Sequence, residues 1–336
     1  MFIVESYTLA VALCWVTMLC WGSWGNSQKL ASKTWRYELF YWDYVIGILL
    51  FSVVWGLTLG SKGSEGRSFL PDLMQADSWV FGSAFLGGII FNGSNILLSA
   101  SMSLAGMSVA FPIGVGLALV LGVFINYFTV PHGNAFVLFT GVFLIVIAII
   151  LNGIASSRMN HSGESMPTRK IGITVALCAG LLMAFFYRFV AAAMDLENLN
   201  QPAPGLMTPY TALFVFALGI FASNFIFNTL VMKRPFVGEP ISFKDYFNGA
   251  ISTHLVGVLG GCIWALGTAC SYIAAGKAGA AISYALGQGA TMVAALWGIL
   301  IWREFRGASR SVNIQLAVMV LLFIIGLGFI IVSGAN

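Results

Sequence analysis

The sequence predicts an all-α polytopic membrane protein whose ten transmembrane helices form a five-plus-five inverted repeat. Three observations predict it. Of 336 residues, 59% are hydrophobic and only 8% are charged, where a soluble domain carries about 25% charged residues. Ten apolar runs reach the roughly 20 residues that a bilayer crossing needs, at about 7–28, 39–60, 79–102, 106–128, 134–156, 171–194, 208–232, 250–275, 279–302 and 312–334. And one stretch occurs twice: Gly87-Gly88, Ala105-Gly106 and Gly114-Val115-Gly116 return, at one constant offset and without a gap, as Gly260-Gly261, Ala278-Gly279 and Gly287-Gln288-Gly289. Repeats inside an apolar chain are what transporter folds are built from.

The first run follows Glu5 with no basic segment before it and reads as a span, not a removable signal. Basic residues outside the runs fall on one side. The connections after spans 1, 3, 5, 7 and 9 carry Lys29, Lys33, Arg36, Arg158, Lys233, Arg303 and their neighbours, while the opposite connections carry Lys62, Arg67 and Lys277. The positive-inside rule then puts the odd-numbered connections in the cytoplasm and both termini outside. Five is odd, so the second half enters the membrane in the opposite sense to the first. The expected division is a first repeat at 1–157, a cytoplasmic linker at 158–170 and a second repeat at 171–336.

The five cysteines lie in apolar runs, and with the three histidines they make no metal-ligand spacing. No clustered nucleophile or acid–base set stands in a span and no Gly-x4-Gly-Lys-Ser/Thr loop is present, so no enzyme is expected. No cofactor is expected either; a proton or sodium gradient would supply the energy.

Polar groups in spans are costly and face a bundle interior or a wet cavity. Asn92, Asn95 and Ser99 share one helical stripe in span 3; Trp264, Thr268 and Tyr272 share one in span 8; Tyr284, Gln288 and Thr291 share one in span 9. Asn224 and Asn228 pair in span 7. Helix–helix hydrogen bonding is the alternative for any single amide. Two stripes at repeat-related positions point instead to a cavity for a neutral polar solute, with Trp264 and Trp21 as stacking rings. Pro112 kinks span 4. Arg188 in span 6 is read either as a recognition cation or as a side chain reaching outward. Asp43 in span 2 is the coupling candidate, against a tie to nearby basic groups, and His254 is read as structural.

The run Trp297-Gly298-Ile299-Leu300-Ile301-Trp302-Arg303-Glu304-Phe305-Arg306-Gly307-Ala308-Ser309, with Asp43-Tyr44 and Asn126-Tyr127-Phe128, resembles the ureide permeases of the drug/metabolite transporter superfamily, near its glucose/ribose porter branch. The resemblance implies a proton-linked secondary permease for ureides, nucleobases or, in the neighbouring branch, sugars. A drug or metabolite exporter of the same fold is the alternative. The long insert that plant members carry between spans 5 and 6 has no counterpart in 157–170. The expected partners are a small-molecule solute and the bilayer, with no nucleic acid, in a monomer or homodimer of a bacterial inner membrane.

Overall fold

The computed structural model describes residues 1–159 and 166–335, so the middle of the expected linker lies outside the described residues. Ten helices long and apolar enough to cross a membrane account for most of it: Tyr7–Ala31, Tyr37–Leu57, Ser78–Ala105, Val109–Thr129, Ala135–Ser156, Pro167–Ala191, Pro209–Lys233, Ile251–Ala278, Ala280–Ile301 and Arg310–Ser333. They are spans 1 to 10, and their ends lie within a few residues of the apolar runs. Short helices at Phe69–Gln75 and Phe243–Phe247 sit in the connections after spans 2 and 7.

The neighbours of each span follow a rule. Span 1 packs on span 8 and span 6 on span 3; span 2 packs on span 8 and span 7 on span 3; span 4 packs on span 6 and span 9 on span 1. Spans 5 and 10 pair with each other, as do spans 2 and 7. Exchanging the first five spans for the second five leaves this pattern unchanged.

Glycines set the closest of these approaches. A Cβ on Gly88 would strike the Phe216 carbonyl, and one on Gly219 would strike that of Phe85. The counterparts are Gly261 against the Tyr44 carbonyl and Gly47 against that of Val258. Small residues here let two pairs of backbones meet, which is how helices gain contact in a solvent that offers no hydrophobic drive. Gly106 and Gly279 each end one span and begin the next, with φ +78° and ψ 155° in one and φ +78° and ψ 153° in the other. Only glycine enters that region without cost.

Span 9 is not one helix. It runs as Ala280–Gly287, breaks at Gln288 and Gly289, resumes as Ala290–Leu296 and ends in a π-turn at Trp297–Ile301.

Candidate functional site

Spans 1, 3, 4, 6, 8 and 9 surround a small cavity of about 30 Å³ in the interior of the bundle. Its wall is mostly aromatic: Trp21, Trp24, Phe91, Phe111, Phe186 and Trp264, with the amides of Asn95 and Gln288 as its polar groups. The rings are ordered. Trp264 stacks on Phe91 with centroids 4.3 Å apart and lies parallel to Trp21 at 6.1 Å and 9°. The Trp21 indole N–H donates to Thr268 Oγ1 at 3.0 Å, and Thr268 in turn donates to the Trp264 carbonyl at 3.1 Å. The Asn95 amide donates to the Tyr41 hydroxyl at 3.2 Å. A space of this size holds water; a solute ring requires the wall to part.

The residues singled out in the sequence divide. Asn95, Trp21, Trp264 and Gln288 line the cavity. Thr268 stands behind Trp21 and holds it. Asn92 turns away to span 7, where its amide donates to Ser223 Oγ at 3.0 Å. The Tyr284 hydroxyl donates to the carbonyls of Ala118 and Met183 at 3.2 and 3.3 Å, outside the wall. Thr291 donates back to the Gln288 carbonyl at 3.1 Å. Arg188 is exposed on the outer surface of span 6 and does not approach the cavity. Asp43 lies apart from it too. Its carboxylate accepts from the Tyr246 hydroxyl at 2.6 Å and meets His254 Nδ1 at 2.9 Å. Phe91, Phe111 and Phe186 are wall residues that the sequence did not single out, since a phenylalanine in an apolar run carries no signal of its own.

A vestibule of about 800 Å³ opens on the face that carries Lys29, Lys33 and Arg36, and all five odd-numbered connections contribute to its wall, through to Val237 and Glu304. Between it and the cavity lies a thin layer. Gln28 bolts span 1 to span 3 there: its amide donates to the Ser99 carbonyl at 2.9 Å and accepts from Ser99 Oγ at 2.7 Å. Beside it, three side-chain contacts one turn apart tie span 1 to the end of span 9. Trp297 Nε1 donates to Ser23 Oγ at 2.9 Å, Trp302 Nε1 to Asn26 Oδ1 at 2.6 Å, and Lys29 pairs with Glu304 while lying 4.5 Å over the Trp302 ring.

On the other face, polar contacts tie the connections to one another. Arg67 pairs with Asp72 at 2.9 Å and reaches the Pro202 carbonyl at 2.7 Å, while Asp72, fully buried, accepts from the Thr208 N–H at 2.8 Å. The terminal amine of Met1 donates to the Glu65 carbonyl at 2.6 Å, and the Tyr210 hydroxyl to that of Phe2 at 2.9 Å.

Ten helices long and apolar enough to cross a membrane, around a small aromatic-lined cavity with a vestibule on one face, have the form of a membrane permease. The family is explicit in the sequence: the family model described as "Ureide permease" matches residues 40–168 and 164–333, and the chain belongs to that family. Among its relatives are Ureide permease 1 of Arabidopsis thaliana, 26% identical with both chains fully covered, and Ureide permease 2 of the same plant, 27% identical with the same coverage. Probable ureide permease A3 of Vigna unguiculata is 23% identical over 93% of this chain and all of that one. The alignment with Ureide permease 1 runs over 396 positions against 336 residues here, so that relative carries residues that this chain lacks. The family match itself divides at 164–168, in the connection between spans 5 and 6. A solved structure titled only "Crystal structure of protein" shares the fold, with a TM-score of 0.59 at 17% identity over 98% of this chain and all of that one.

Proposed function

We propose that this permease carries a small, planar, neutral solute of the ureide or nucleobase kind by alternating access. The observation that carries the reading is the cavity wall: stacked rings on several sides and two neutral amides, Asn95 from the first half and Gln288 from the second. A flat ring with –NH–CO– edges presents a π-face to indoles and a donor beside an acceptor to each amide. The wall has no carboxylate or cationic side chain to neutralise a charged solute, and its rings alone could attract a cation, which is why cationic drugs belong in the test. The names of the relatives agree with this choice.

The two five-span halves, 1–157 and 171–336, would form an inverted repeat and rock about the cavity; the symmetric neighbour pattern and the paired Gly106 and Gly279 turns support that arrangement. The basic face, where the vestibule opens, would be cytoplasmic in a bacterial inner membrane, with both termini outside. The driving gradient would be of protons. The spans hold only two carboxylates, Glu38 and Asp43. Arg36 closes Glu38 in an ion pair, so we assign coupling to Asp43. Asp43→Asn should abolish uphill uptake and spare exchange; unchanged uphill uptake excludes the role.

The test of the site is a thermal-shift screen of the purified protein against allantoin, uracil, uric acid, monosaccharides and cationic drugs, since a ligand of the folded state raises its apparent stability. A ureide or nucleobase shift that disappears in Gln288→Ala and Asn95→Ala, and survives in Asn92→Ala, supports the reading. A shift with sugars alone moves the solute class to the neighbouring branch. A shift with drugs alone favours the exporter.

A further inference from the structure

The connection between spans 7 and 8 crosses the rim of the vestibule. Val237 from it forms part of the wall, and the Glu239 carbonyl accepts from Arg36 Nη1 at 2.6 Å. Its single helical segment, Phe243–Phe247, is closed by a capping box between Ser242 and Asp245. Tyr246, within that segment, turns inward and donates its hydroxyl to Asp43 Oδ1 at 2.6 Å. From span 8, His254 brings Nδ1 to 2.9 Å from Oδ2 and 3.1 Å from Oδ1 of the same carboxylate. Trp35 covers both partners, stacked on the Tyr246 ring at 5.6 Å and edge-on to the imidazole at 4.5 Å. Span 2, span 8 and the connection thus meet on one buried carboxylate.

We propose that Asp43, His254 and Tyr246 form a proton-binding clasp that fastens this connection at the vestibule rim, drawn tight when His254 takes up a proton. The inference rests on the reading of Asp43 as the coupling carboxylate, and it supplies that residue's partner and moving part. The Asp43 side chain is 4% exposed and that of His254 24%. Nδ1 meets Asp43, and Nε2 lies beside Gly249 of the connection. A proton taken from hydronium forms the Nε2–H bond and releases water, and it leaves both contacts to Asp43 in place. It converts a neutral donor into a cation next to a buried anion, and a buried charge is held firmly only when paired. Histidine is the side chain whose charge changes in the physiological range.

Other groups do not supply the charge. Glu38 of span 2 is closed by Arg36. Span 1 presents Ser27 to span 8, at Gly260. Lys244 and Asp245 of the connection itself are exposed, and Asp245 is held by Ser242. Burial and then the Asp43 carboxylate push the Tyr246 phenol above its ordinary value, so it remains a donor throughout.

Two readouts on the full-length protein in detergent, without solute, test the clasp. The first is the fluorescence of Trp35, isolated as the difference between the wild type and Trp35→Phe. A cationic imidazole in contact quenches an indole, so the signal should fall between about pH 8 and about pH 5, and the fall should be lost in His254→Gln and in Asp43→Asn. The second is chymotryptic cleavage after the exposed Phe247, normalised to a peptide substrate. It should slow severalfold over the same interval in the wild type and become independent of pH in His254→Gln. Tyr246→Phe lies outside the spans; it should lose the effect on cleavage and keep the change in fluorescence. A wild-type signal and cleavage rate that do not respond to pH overturn the clasp, whatever transport does. A responsive clasp with undiminished uphill uptake in Asp43→Asn removes the coupling assignment alone.

Discussion

Thr268 holds Trp21. The 3.0 Å bond from the indole N–H to Thr268 Oγ1 fixes the Trp21 ring parallel to Trp264, and both ends of the bond are buried. Thr268→Val keeps the shape and removes the acceptor, which leaves a buried N–H unpaired at a cost of about 1–3 kcal/mol. The expected result is a lower melting temperature and a weaker ligand-induced shift, with both restored in Thr268→Ser. Wild-type values for Thr268→Val would mean that packing alone orients the ring.

The glycine contacts predict a contrast within one helix. Gly88→Ala drives a methyl into the Phe216 carbonyl, and Gly261→Ala drives one into that of Tyr44. Each should destabilise by about 1–3 kcal/mol, because the obstacle is backbone and cannot rotate away. Gly82→Ala, in the same span as Gly88 and with nothing within 4 Å, should be neutral or slightly stabilising. Thermal melts in detergent compare the three directly.

Gln28 separates the vestibule from the cavity. Gln28→Ala removes the bolt between spans 1 and 3, and a water-soluble thiol reagent should then reach a cysteine placed at position 95 severalfold faster. The comparison is Asn95→Cys with and without Gln28→Ala. Equal rates would show that Trp24 and the methionines around Gly25 close the layer unaided.

Acid acts on the capping box in a different range from the clasp. The Asp245 carboxyl is held below its ordinary value of 3.8, first by the Ser242 backbone N–H and then by the Ser242 hydroxyl. A depressed carboxylate contributes stability that is complete above its unfolded pKa and lost as pH falls through the folded one. Cleavage after Phe247 should therefore accelerate again only below about pH 4, and Asp245→Asn should already be fast at neutral pH. Acceleration at a pH where the clasp should still be slowing cleavage would overturn this assignment to Asp245.

The spans were legible because a bilayer crossing demands a long unbroken apolar run, and each such run became helical, span 9 with a break. The site was legible in part, and the reason lies in helix geometry. Tyr284, Gln288 and Thr291 fall on one face only if span 9 is a continuous helix; the chain breaks at Gln288 and Gly289, and of the three only Gln288 lines the cavity, while Tyr284 bonds to the Ala118 and Met183 carbonyls and Thr291 to the Gln288 carbonyl. The span 3 stripe is real, yet it touches three neighbours: Asn92 meets span 7, Asn95 meets span 2 and the cavity, and Ser99 meets Gln28 of span 1. Periodicity names a face and not the helix that it meets. Arg188 and Asp43 drew notice as charges within spans, and both proved peripheral to the cavity. Within the run from Trp297 to Ser309 that carries the family resemblance, Trp297, Trp302 and Glu304 make the ladder to Ser23, Asn26 and Lys29 along span 1.

The turns at Gly106 and Gly279 have a mechanical consequence. Each joins two full crossings with no residue to spare, so span 4 cannot slide past span 3, nor span 9 past span 8, by more than the rise of about one residue, roughly 1.5 Å. Such a pair can lean but cannot shear. Any displacement at one end of the pair is delivered to the other as a tilt, scaled by the length of the lever on either side of the cavity. With one such fork at each end of the bundle, a solute held at the centre would sit near the fulcrum of both.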